Sequence, residues 1–280
     1  MSAVGARLTR RSFVAGAVAS AAVFKLQAAK HIPIGLELYS VRDELKKDLP
    51  ATVDAVAKMG YECVEFFAPY MQWTPDYATQ VRKQLDDLKI KCYSTHNGPD
   101  SFGSGLDHAV ELNHILGTKF IVMASAGKVV GIDGWKRVAD TLNQANERMS
   151  SHGLHAGYHN HAAEWKDVDG QMPMQVLADN TDKSIMLQLD VGTCVEAGKD
   201  PVAWINNHPG RIRSLHLKDW SPQKGYRVLF GQGVVPWKDV FAAAESKGGV
   251  EYYLIEQEGS DLPEMETADR CLIAYKEIHG

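Results

Sequence analysis

From residue 32 onward, hydrophobic and polar positions repeat in a regular order along the chain. Each short run of apolar, β-branched and aromatic residues is followed by a polar loop and then by a stretch in which apolar residues recur at helical spacing. Eight strands are predicted from these runs, at residues 34–40, 63–67, 90–95, 119–124, 155–161, 185–190, 212–218 and 252–258. Successive strands start roughly 30 residues apart, which is the length of one βα unit.

Proline and glycine mark the ends of the helical stretches between the strands. Pro50 begins the segment PATVDAVAKMG and Gly60 ends it, while Pro236 begins PWKDVFAAAESKGG, which Gly248 ends. Proline is favoured in the first turn of a helix because its missing N–H needs no partner there, and glycine is favoured just beyond the last turn. Both segments are therefore predicted to be helices.

The alternation of eight strands with helices predicts an α/β protein consisting of a single (β/α)8 TIM barrel. An open, doubly wound sheet is the alternative, and it would carry a glycine-rich phosphate loop after its first strand. The segment at that place is YSVRDEL, which contains no glycine. No proline- or serine-rich linker interrupts the series, so residues 31–280 are predicted to form one domain.

Residues 1–30 follow a different pattern and are predicted to be an export signal. The adjacent Arg10 and Arg11 precede the apolar run FVAGAVASAAVF at 13–24, which is too short to span a bilayer. This order is typical of a twin-arginine signal and predicts a periplasmic or otherwise exported protein with no stable membrane span after export. A disordered basic tail is the alternative interpretation.

Net charge restricts the class of partner. The formal charge is −5 at pH 7, and residues 1–29 contain four cations and no acid, so the rest of the chain carries −9. Affinity for nucleic acid depends on neutralising phosphates with cationic side chains. The acidic body therefore argues against a nucleic-acid partner.

The four cysteines, Cys63, Cys92, Cys194 and Cys271, show no clustered spacing of the kind found in metal sites. Free cysteine is among the most buried residue types, so these residues are predicted to be small buried thiols. A disulfide between Cys63 and Cys92, which fall in consecutive predicted strands, is the alternative.

Polar residues replace apolar ones at the ends of the predicted strands. In a barrel the chemistry lies where the strands end, and period-two alternation decides which residues share a face. The titratable groups at these ends are Glu37, Tyr39, Glu65, His96, His159, His161, Asp190, His216, Lys218, Glu256 and Glu258. Each has a structural interpretation by itself; Asp190, for example, could cap the next helix. Because unpaired polar groups are costly to bury, their convergence on one rim predicts a functional site.

The mixture of imidazole and carboxylate groups at this rim, without a thiolate, is typical of a transition-metal site. Such donors suit Mn²⁺, Zn²⁺, Co²⁺ or Fe²⁺ better than Mg²⁺ or Ca²⁺, which prefer oxygen ligands alone. The rim is therefore predicted to bind one divalent metal ion.

The strand-end motifs resemble those of the sugar phosphate isomerase/epimerase family, the xylose isomerase-like TIM barrels that include ketose 3-epimerases and inosose dehydratase. The resemblance runs from IGLELYSVRDEL through GYHNHAAEW, LQLDVGTCVEAGKDP, PGRIRSLHLKDW and GQGVVPWKDV to YYLIEQE, and so covers nearly all of residues 31–280. It implies a xylose isomerase-like TIM barrel that uses one divalent metal ion and acts on a small carbohydrate.

The resemblance also implies the metal ligands. Asp190 in LQLD, His216 in SLHLKD and Glu256 in LIEQE match three ligand positions of the family. The fourth ligand is a glutamate in the epimerases, whereas His159 in GYHNH stands at that position here. Epimerases use their two metal-bound glutamates as acid and base on opposite faces of the substrate, and this chain keeps one. The GYHNH strand is more similar to that of the inosose dehydratase branch.

The resulting hypothesis is proton abstraction from a carbon next to a carbonyl group, through an enediolate intermediate that the metal stabilises. Glu256 is the first choice for the group that moves the proton, with His161 or Glu65 as its counterpart, and Lys218 would stabilise the negative charge. The residues expected to bind substrate hydroxyl groups are Glu37, Tyr39, Glu65, His96 and Arg227.

Reprotonation of the enediolate would make the protein an isomerase or epimerase, which is the main prediction. Loss of a neighbouring oxygen would instead make it a lyase, dehydratase or hydratase acting on keto-sugars or 3-keto-glycosides, as the resemblance to inosose dehydratase implies. A non-catalytic sugar-binding barrel is the third alternative. The sequence leaves the oligomeric state open.

Overall fold

The structure, a computed structural model, describes Met1 and residues 31–280. The predicted twin-arginine signal at residues 1–30 lies, apart from Met1, outside the described residues, so it stays a prediction. The remaining chain has the architecture that the alternating pattern predicts.

Eight parallel strands form a closed barrel in chain order, because β1 pairs with β2 on one side and with β8 on the other. The prediction of a single (β/α)8 TIM barrel is confirmed. The strands are β1 Ile34–Glu37, β2 Cys63–Phe66, β3 Lys91–Asn97, β4 Phe120–Met123, β5 His155–His159, β6 Met186–Asp190, β7 Ser214–Leu217 and β8 Tyr252–Ile255.

Ten α-helices in the described residues surround the barrel, and short 3₁₀ segments follow several strands. The helices are α1 Arg42–Lys47, α2 Leu49–Met59, α3 Pro75–Leu88, α4 Leu106–Leu116, α5 Gly131–Ser150, α6 Pro173–Asn180, α7 Val191–Glu196, α8 Pro201–Asn207, α9 Trp237–Ala243 and α10 Glu264–His279. The 3₁₀ segments are Leu38–Val41, Ala68–Gln72, Pro99–Phe102 and Ala162–Trp165.

The two helices predicted from proline and glycine are both present. Pro50 lies in the first turn of α2, and Gly60 ends it with a φ of 102°, in the left-handed region that glycine adopts without a steric penalty. Pro236 precedes α9, whose last turn widens into a π-helical segment at Ala244–Gly248. The C-terminal cap is Gly249, one residue later than the predicted end.

The barrel interior has an apolar floor, formed by side chains from the even-numbered strands. Its members are Cys63, Phe120, Val122, Met186, Tyr252 and Leu254. This agrees with the layered filling of TIM barrels, in which each layer comes from alternate strands. A much larger apolar cluster fills the space between the barrel and its helices, so the strands are covered on both faces.

Two glycines allow neighbouring elements of the barrel to approach closely. A Cβ on Gly35 of β1 would lie 2.5 Å from Cys63 Sγ, which leaves no room for any other residue beside β2. A Cβ on Gly192, in the first turn of α7, would lie 2.6 Å from the carbonyl oxygen of Lys218. Glycine at 192 therefore lets α7 pack directly against the backbone that carries Lys218.

All four cysteines are free and buried, which confirms the prediction of small buried thiols over a disulfide between Cys63 and Cys92. Burial raises the pKa of the Cys63 thiol well above its usual value. Among the described residues, none of the helices is long and apolar enough to cross a membrane.

Candidate functional site

A cavity of about 430 Å³ opens at the end of the barrel where the strands finish. Such a volume lies within the usual range of small-molecule sites. One part of its lining is titratable and comprises Glu37, His96, His159, His161, Glu256 and Glu258, while the remainder includes Tyr39, Phe67, Ala68 and Pro99. A larger cavity of about 810 Å³, bordered by α1, α3 and the 3₁₀ segment after β2, contains none of the rim histidines. The smaller cavity is therefore the candidate site.

His159, Asp190 and Glu256 converge at one side of this site. Each offers a donor atom, and the three atoms lie within 4.8 Å of one another. Asp190 ends β6 and caps α7, since its Oδ1 accepts a hydrogen bond of 2.8 Å from the backbone N–H of Thr193. Its other oxygen, Oδ2, is buried and accepts no hydrogen bond. The helix cap thus uses half of the carboxylate and leaves the other half for a ligand.

His216 lies beside this group, between two carboxylates. Its Nδ1 is 2.6 Å from Glu256 Oε2, and its Nε2 is 2.8 Å from Glu65 Oε2. Burial alone would lower the pKa of His216, but the two carboxylates outweigh burial and raise the pKa well above its usual value. The ring also packs against His159, with centroids 4.5 Å apart.

Glu65 is the centre of a buried hydrogen-bond network beneath the cavity. One of its oxygens accepts hydrogen bonds from Ser94 Oγ and, at 3.0 Å, from Gln188 Nε2. The other lies 2.8 Å from His216 Nε2 and 3.0 Å from His96 Nε2. Both oxygens are occupied and the residue does not line the cavity, so the geometry supports a role of Glu65 in holding His96, His216 and Gln188 in place and gives no support to its predicted contact with substrate.

Lys218 follows β7 and is almost fully buried among three carboxylates. Its ammonium lies 3.5 Å from Asp190 Oδ2 and 3.4 Å from Glu256 Oε1, and it also contacts Glu258. Burial would lower the pKa of Lys218, but these carboxylates outweigh burial and raise the pKa well above its usual value. Lys218 is therefore a fixed positive charge at the edge of the Asp190 group.

For Glu37 and His159, unlike His216 and Lys218, neighbouring charges do not outweigh burial, so burial sets the direction of the pKa shift. Burial and the neighbouring Glu65 carboxylate raise the pKa of Glu37 well above its usual value. Burial, followed by the nearby His216 and His96, lowers the pKa of His159 well below its usual value. A neutral imidazole is the form of histidine that binds metal ions. The environment of His159 therefore favours the ligand form.

These donors fit the predicted divalent ion. A buried carboxylate oxygen without a hydrogen-bond partner, a neutral imidazole and a second carboxylate form a mixed nitrogen and oxygen set. His216, the fourth predicted ligand, adjoins this set through Glu256 and belongs to a second group of possible donors with His96 and His159. His159, Asp190 and Glu256 would hold the ion, with His216 adjacent.

Other predicted residues occupy two kinds of position. His96, His161 and the half-exposed Tyr39 line the cavity, and the Tyr39 ring lies edge to face against Phe67 with centroids 5.3 Å apart. Arg227, in contrast, is exposed, bonds to Ser260 and Asp261 and does not line the cavity. The geometry gives no support to a role for Arg227 in binding hydroxyl groups.

The sequence reasoning missed two residues of the site. Gln188 joins His96 and His159, since its Oε1 lies 2.7 Å from His96 Nε2 and 3.2 Å from His159 Nδ1. The period-two pattern of β6 could have identified it, because Gln188 shares its face with Asp190. Tyr226 packs its ring 4.9 Å from the Lys218 ammonium and bonds to Glu196. It lies in an irregular loop, where no periodicity signals its direction.

Comparisons with known proteins identify the family of the chain and agree with its fold. Residues 53–272 match the family of xylose isomerase-like TIM barrels. A sugar phosphate isomerase/epimerase from Parabacteroides distasonis ATCC 8503 has a similar structure, with a TM-score of 0.76 and 26% identity over 89% of this chain and 94% of that one. The structure of the IOLI protein with a bound zinc atom has a TM-score of 0.66, covering 87% of this chain and 97% of that one, but its 16% identity shows the fold alone.

Among curated relatives, the inosose dehydratase of Lacticaseibacillus casei is 24% identical over 177 residues. The match covers 52% of this chain and 59% of the relative. This chain therefore matches little more than half the length of that relative.

Proposed function

Because this chain belongs to the family of xylose isomerase-like TIM barrels, we propose that it is a divalent-metal-dependent isomerase or epimerase of a small carbohydrate. The reaction moves a proton at a carbon next to a carbonyl group and passes through an enediolate. The observation that carries the proposal is the convergence of His159, Asp190 and Glu256 beside the cavity, with Asp190 Oδ2 buried and without a hydrogen-bond partner. The resemblance in structure to a sugar phosphate isomerase/epimerase supports the same class.

His159, Asp190 and Glu256 hold the metal ion in this proposal, with His216 beside them. When bound, the ion supplies a Lewis acid that polarises a carbonyl group and stabilises negative charge on oxygen. The donor set suits Mn²⁺, Zn²⁺, Co²⁺ or Fe²⁺, and the zinc in the structurally similar IOLI protein is consistent with that range.

The remaining groups bind, orient and move protons. Glu256 removes the proton from carbon, because it lines the cavity and is present as a carboxylate that can accept a proton. Lys218 and His216 keep it ionised by holding its pKa well below the usual value despite its burial. Lys218 compensates the negative charge that develops on the enediolate oxygens. His161 is exposed at the cavity and is the counterpart of Glu256 in proton transfer. Tyr39 and Phe67 provide an apolar wall against which the C–H face of a sugar ring packs.

Elimination is the second candidate function, and His159 is the observation that favours it. The imidazole stands where epimerases carry a second glutamate, so one of the two carboxylates needed for exchange on both faces of a carbon is replaced. The resemblance to inosose dehydratase supports this alternative. A lyase or hydratase acting on keto-sugars or 3-keto-glycosides would use the same first step.

The decisive experiment is NMR spectroscopy of candidate keto-sugars and glycosides with the metal-loaded protein in deuterated water. We expect deuterium to enter the carbon next to the carbonyl group, together with an isomerised, epimerised or dehydrated product. A sugar that binds without exchange or product would contradict the proposal and favour a non-catalytic sugar-binding barrel. Product identity separates isomerisation and epimerisation from elimination.

We also propose that the protein is exported by the twin-arginine route, on the basis of Arg10 and Arg11 and the apolar run that follows them. The double change Arg10→Lys and Arg11→Lys should retain the protein in the cytoplasm without altering its fold. Cell fractionation measures the distribution, and Arg7→Lys is the matched control. Continued export of the double variant would contradict the assignment.

A further inference from the structure

The larger cavity of about 810 Å³ beside the candidate site is walled by aromatic and aliphatic side chains, and we call it the aromatic cavity. The rings of Phe66, Tyr70 and Tyr77 stand edge to face around Trp73, with centroids 5.1, 5.9 and 5.3 Å from its own. The aliphatic residues of the lining are Leu45, Leu49, Pro50 and Pro69. Aromatic rings favour edge-to-face and offset-stacked contacts with one another, so these walls suit a further ring.

The aromatic cavity offers few partners to the hydroxyl groups of a sugar. The Tyr70 hydroxyl is engaged in a buried network, where it lies 2.6 Å from Asn97 Oδ1. Within the described part of the chain, Trp73 Nε1 and the Tyr77 hydroxyl have no hydrogen-bond partner. The exposed charged residues of the lining are Asp43, Lys46, Lys47 and Asp48. A sugar carries hydroxyl groups around its whole edge, so two free polar atoms between apolar walls fit an aromatic ring with one or two polar substituents better than a sugar.

The aromatic cavity and the candidate site share a wall. Phe67 lines both spaces. Its ring lies 5.3 Å from that of Tyr39, which lines the site, and the guanidinium of Arg42, which lines the aromatic cavity, lies 4.6 Å from the Tyr39 ring. Arg42 also donates a hydrogen bond of 3.0 Å to the carbonyl oxygen of Glu258, which lines the site. A molecule held in the site therefore has the aromatic cavity on the other side of a wall one side chain thick.

Both spaces lie at the same end of the barrel. The site is where the strands finish, and the aromatic cavity is bordered by α1 and by the 3₁₀ segment Ala68–Gln72, which begins two residues after β2 ends. The site, at about 430 Å³, is near the lower end of the range of about 300–1,000 Å³ that is typical of ligand sites. It suits a single sugar ring, and a substrate with a second ring needs the neighbouring space.

We propose that the aromatic cavity is a second subsite of the candidate site and binds an aromatic group of the phenol class, attached to the reacting sugar by a glycosidic bond. This inference rests on the proposed function, which places the sugar in the first cavity. The substrate class is then an aryl glycoside whose sugar ring carries the carbonyl group. Burial of the aromatic ring adds apolar binding energy and fixes the orientation of the sugar beside Glu256.

The test measures binding without turnover. The phenyl and methyl glycosides of glucose, galactose and xylose, together with phenol alone, are titrated into the metal-loaded protein and followed by ligand-observed NMR spectroscopy. We expect the tightest-binding phenyl glycoside to bind about tenfold or more tightly than its methyl counterpart and than phenol, because it fills both cavities.

Two variants locate the aromatic ring. Tyr77→Ala removes a half-buried ring from the wall, and Trp73→Leu replaces the central ring by an aliphatic side chain. Each should reduce the preference for the phenyl glycoside to about threefold or less, with the affinity for the methyl glycoside unchanged. Ile273→Ala, at an exposed position on α10, is the matched control and should keep the full preference. A thermal melt identifies a folding defect in Trp73→Leu, and Tyr77→Ala then decides.

Three outcomes would overturn the assignment. Equal affinity of the wild type for every phenyl and methyl pair would show that it has no aromatic subsite. A preference that survives both variants would place the aromatic ring elsewhere on the protein. Phenyl glycosides that all bind no more tightly than phenol would separate the aromatic cavity from the candidate site. Failure of the proposed function gives a different result: no deuterium enters any keto-sugar, while the preference for phenyl glycosides and its loss in Tyr77→Ala remain.

Discussion

Cys63 and Glu65 are two residues apart on β2 and point into the same barrel, yet they belong to environments of opposite character. The same change from an apolar to a polar residue occurs on β6, from Met186 to Gln188, and at the end of β8, from Leu254 to Glu256. The floor below is satisfied by apolar contact alone, whereas the rim above is a network of imidazoles and carboxylates.

This difference indicates that the floor stabilises the fold and that the rim lowers the stability of the fold. Burying apolar side chains is favourable without any special partner. Burying several carboxylates together is favourable only where cations and hydrogen bonds compensate them, and at Glu37 and Asp190 that compensation is incomplete. The rim is therefore expected to be optimised for a ligand, and the floor for folding.

The largest expected effect is on the rim. Glu256→Gln should lower the turnover of the identified substrate by about 10²–10⁴-fold, equivalent to about 3–5 kcal/mol in the activation barrier. The free energy of unfolding should change less than this, because Lys218 keeps Asp190 and Glu258 as partners. Steady-state kinetics and urea unfolding measure the two quantities. A variant that loses stability but keeps its turnover would reverse the assigned roles of rim and floor.

The floor should show the opposite result. Met186→Ala should lower the free energy of unfolding by about 2–5 kcal/mol, because it leaves a cavity in a fully buried layer. Turnover at a temperature where the variant remains folded should stay within a few-fold of the wild type. Met265→Ala, at a partly buried position on α10, is the matched control and should cost less. Equal losses in both variants would argue against a special role of the floor.

Metal binding should stabilise the protein through the rim. At a metal concentration 100 times Kd, ligand linkage adds about 2.7 kcal/mol to the free energy of unfolding. Asp190→Ala or His216→Ala should remove most of this gain, whereas Asp107→Ala, an exposed position on α4, should keep it. Thermal melts with and without a chelator, combined with metal analysis, measure the effect. Full metal occupancy in the Asp190 and His216 variants would refute the site.

The smallest expected effect concerns the choice between reactions. His159→Glu restores the carboxylate that epimerases carry on this strand, so it should raise epimerase activity about tenfold, or about 1.4 kcal/mol, and reduce any lyase activity. Product analysis by NMR spectroscopy distinguishes the two. If the wild-type protein already epimerises a ketose efficiently and loses that activity in His159→Glu, the histidine belongs to an epimerase.

The fold was predictable because the strand periods and the proline and glycine positions are local signals. The convergence of Asp190, His159 and Glu256 was predictable too, since all parallel strands end at one rim. The hydrogen-bond partners of the rim carboxylates were not predictable from the sequence. Glu37 ends β1 and Glu65 is the penultimate residue of the adjacent β2, but only the structure shows that Glu65 has four partners and that neither oxygen of Glu37 has a hydrogen-bond partner. The same limit explains Arg227 and Tyr226, neighbours in a loop whose side chains take different directions.

The pairing of β1 with β8 has a consequence for how the protein is made. Ile34 lies opposite Tyr253, so the first strand finds its second neighbour only after nearly the whole chain has been synthesised. Contacts so distant in sequence slow folding and leave a strand edge exposed in the nascent protein. Glu37 stands on the first strand and Glu256 directly follows the last. A ribosome-bound chain that lacks β8 therefore lacks both the closure of the barrel and Glu256, so the donor group of His159, Asp190 and Glu256 is completed only in the final step of folding.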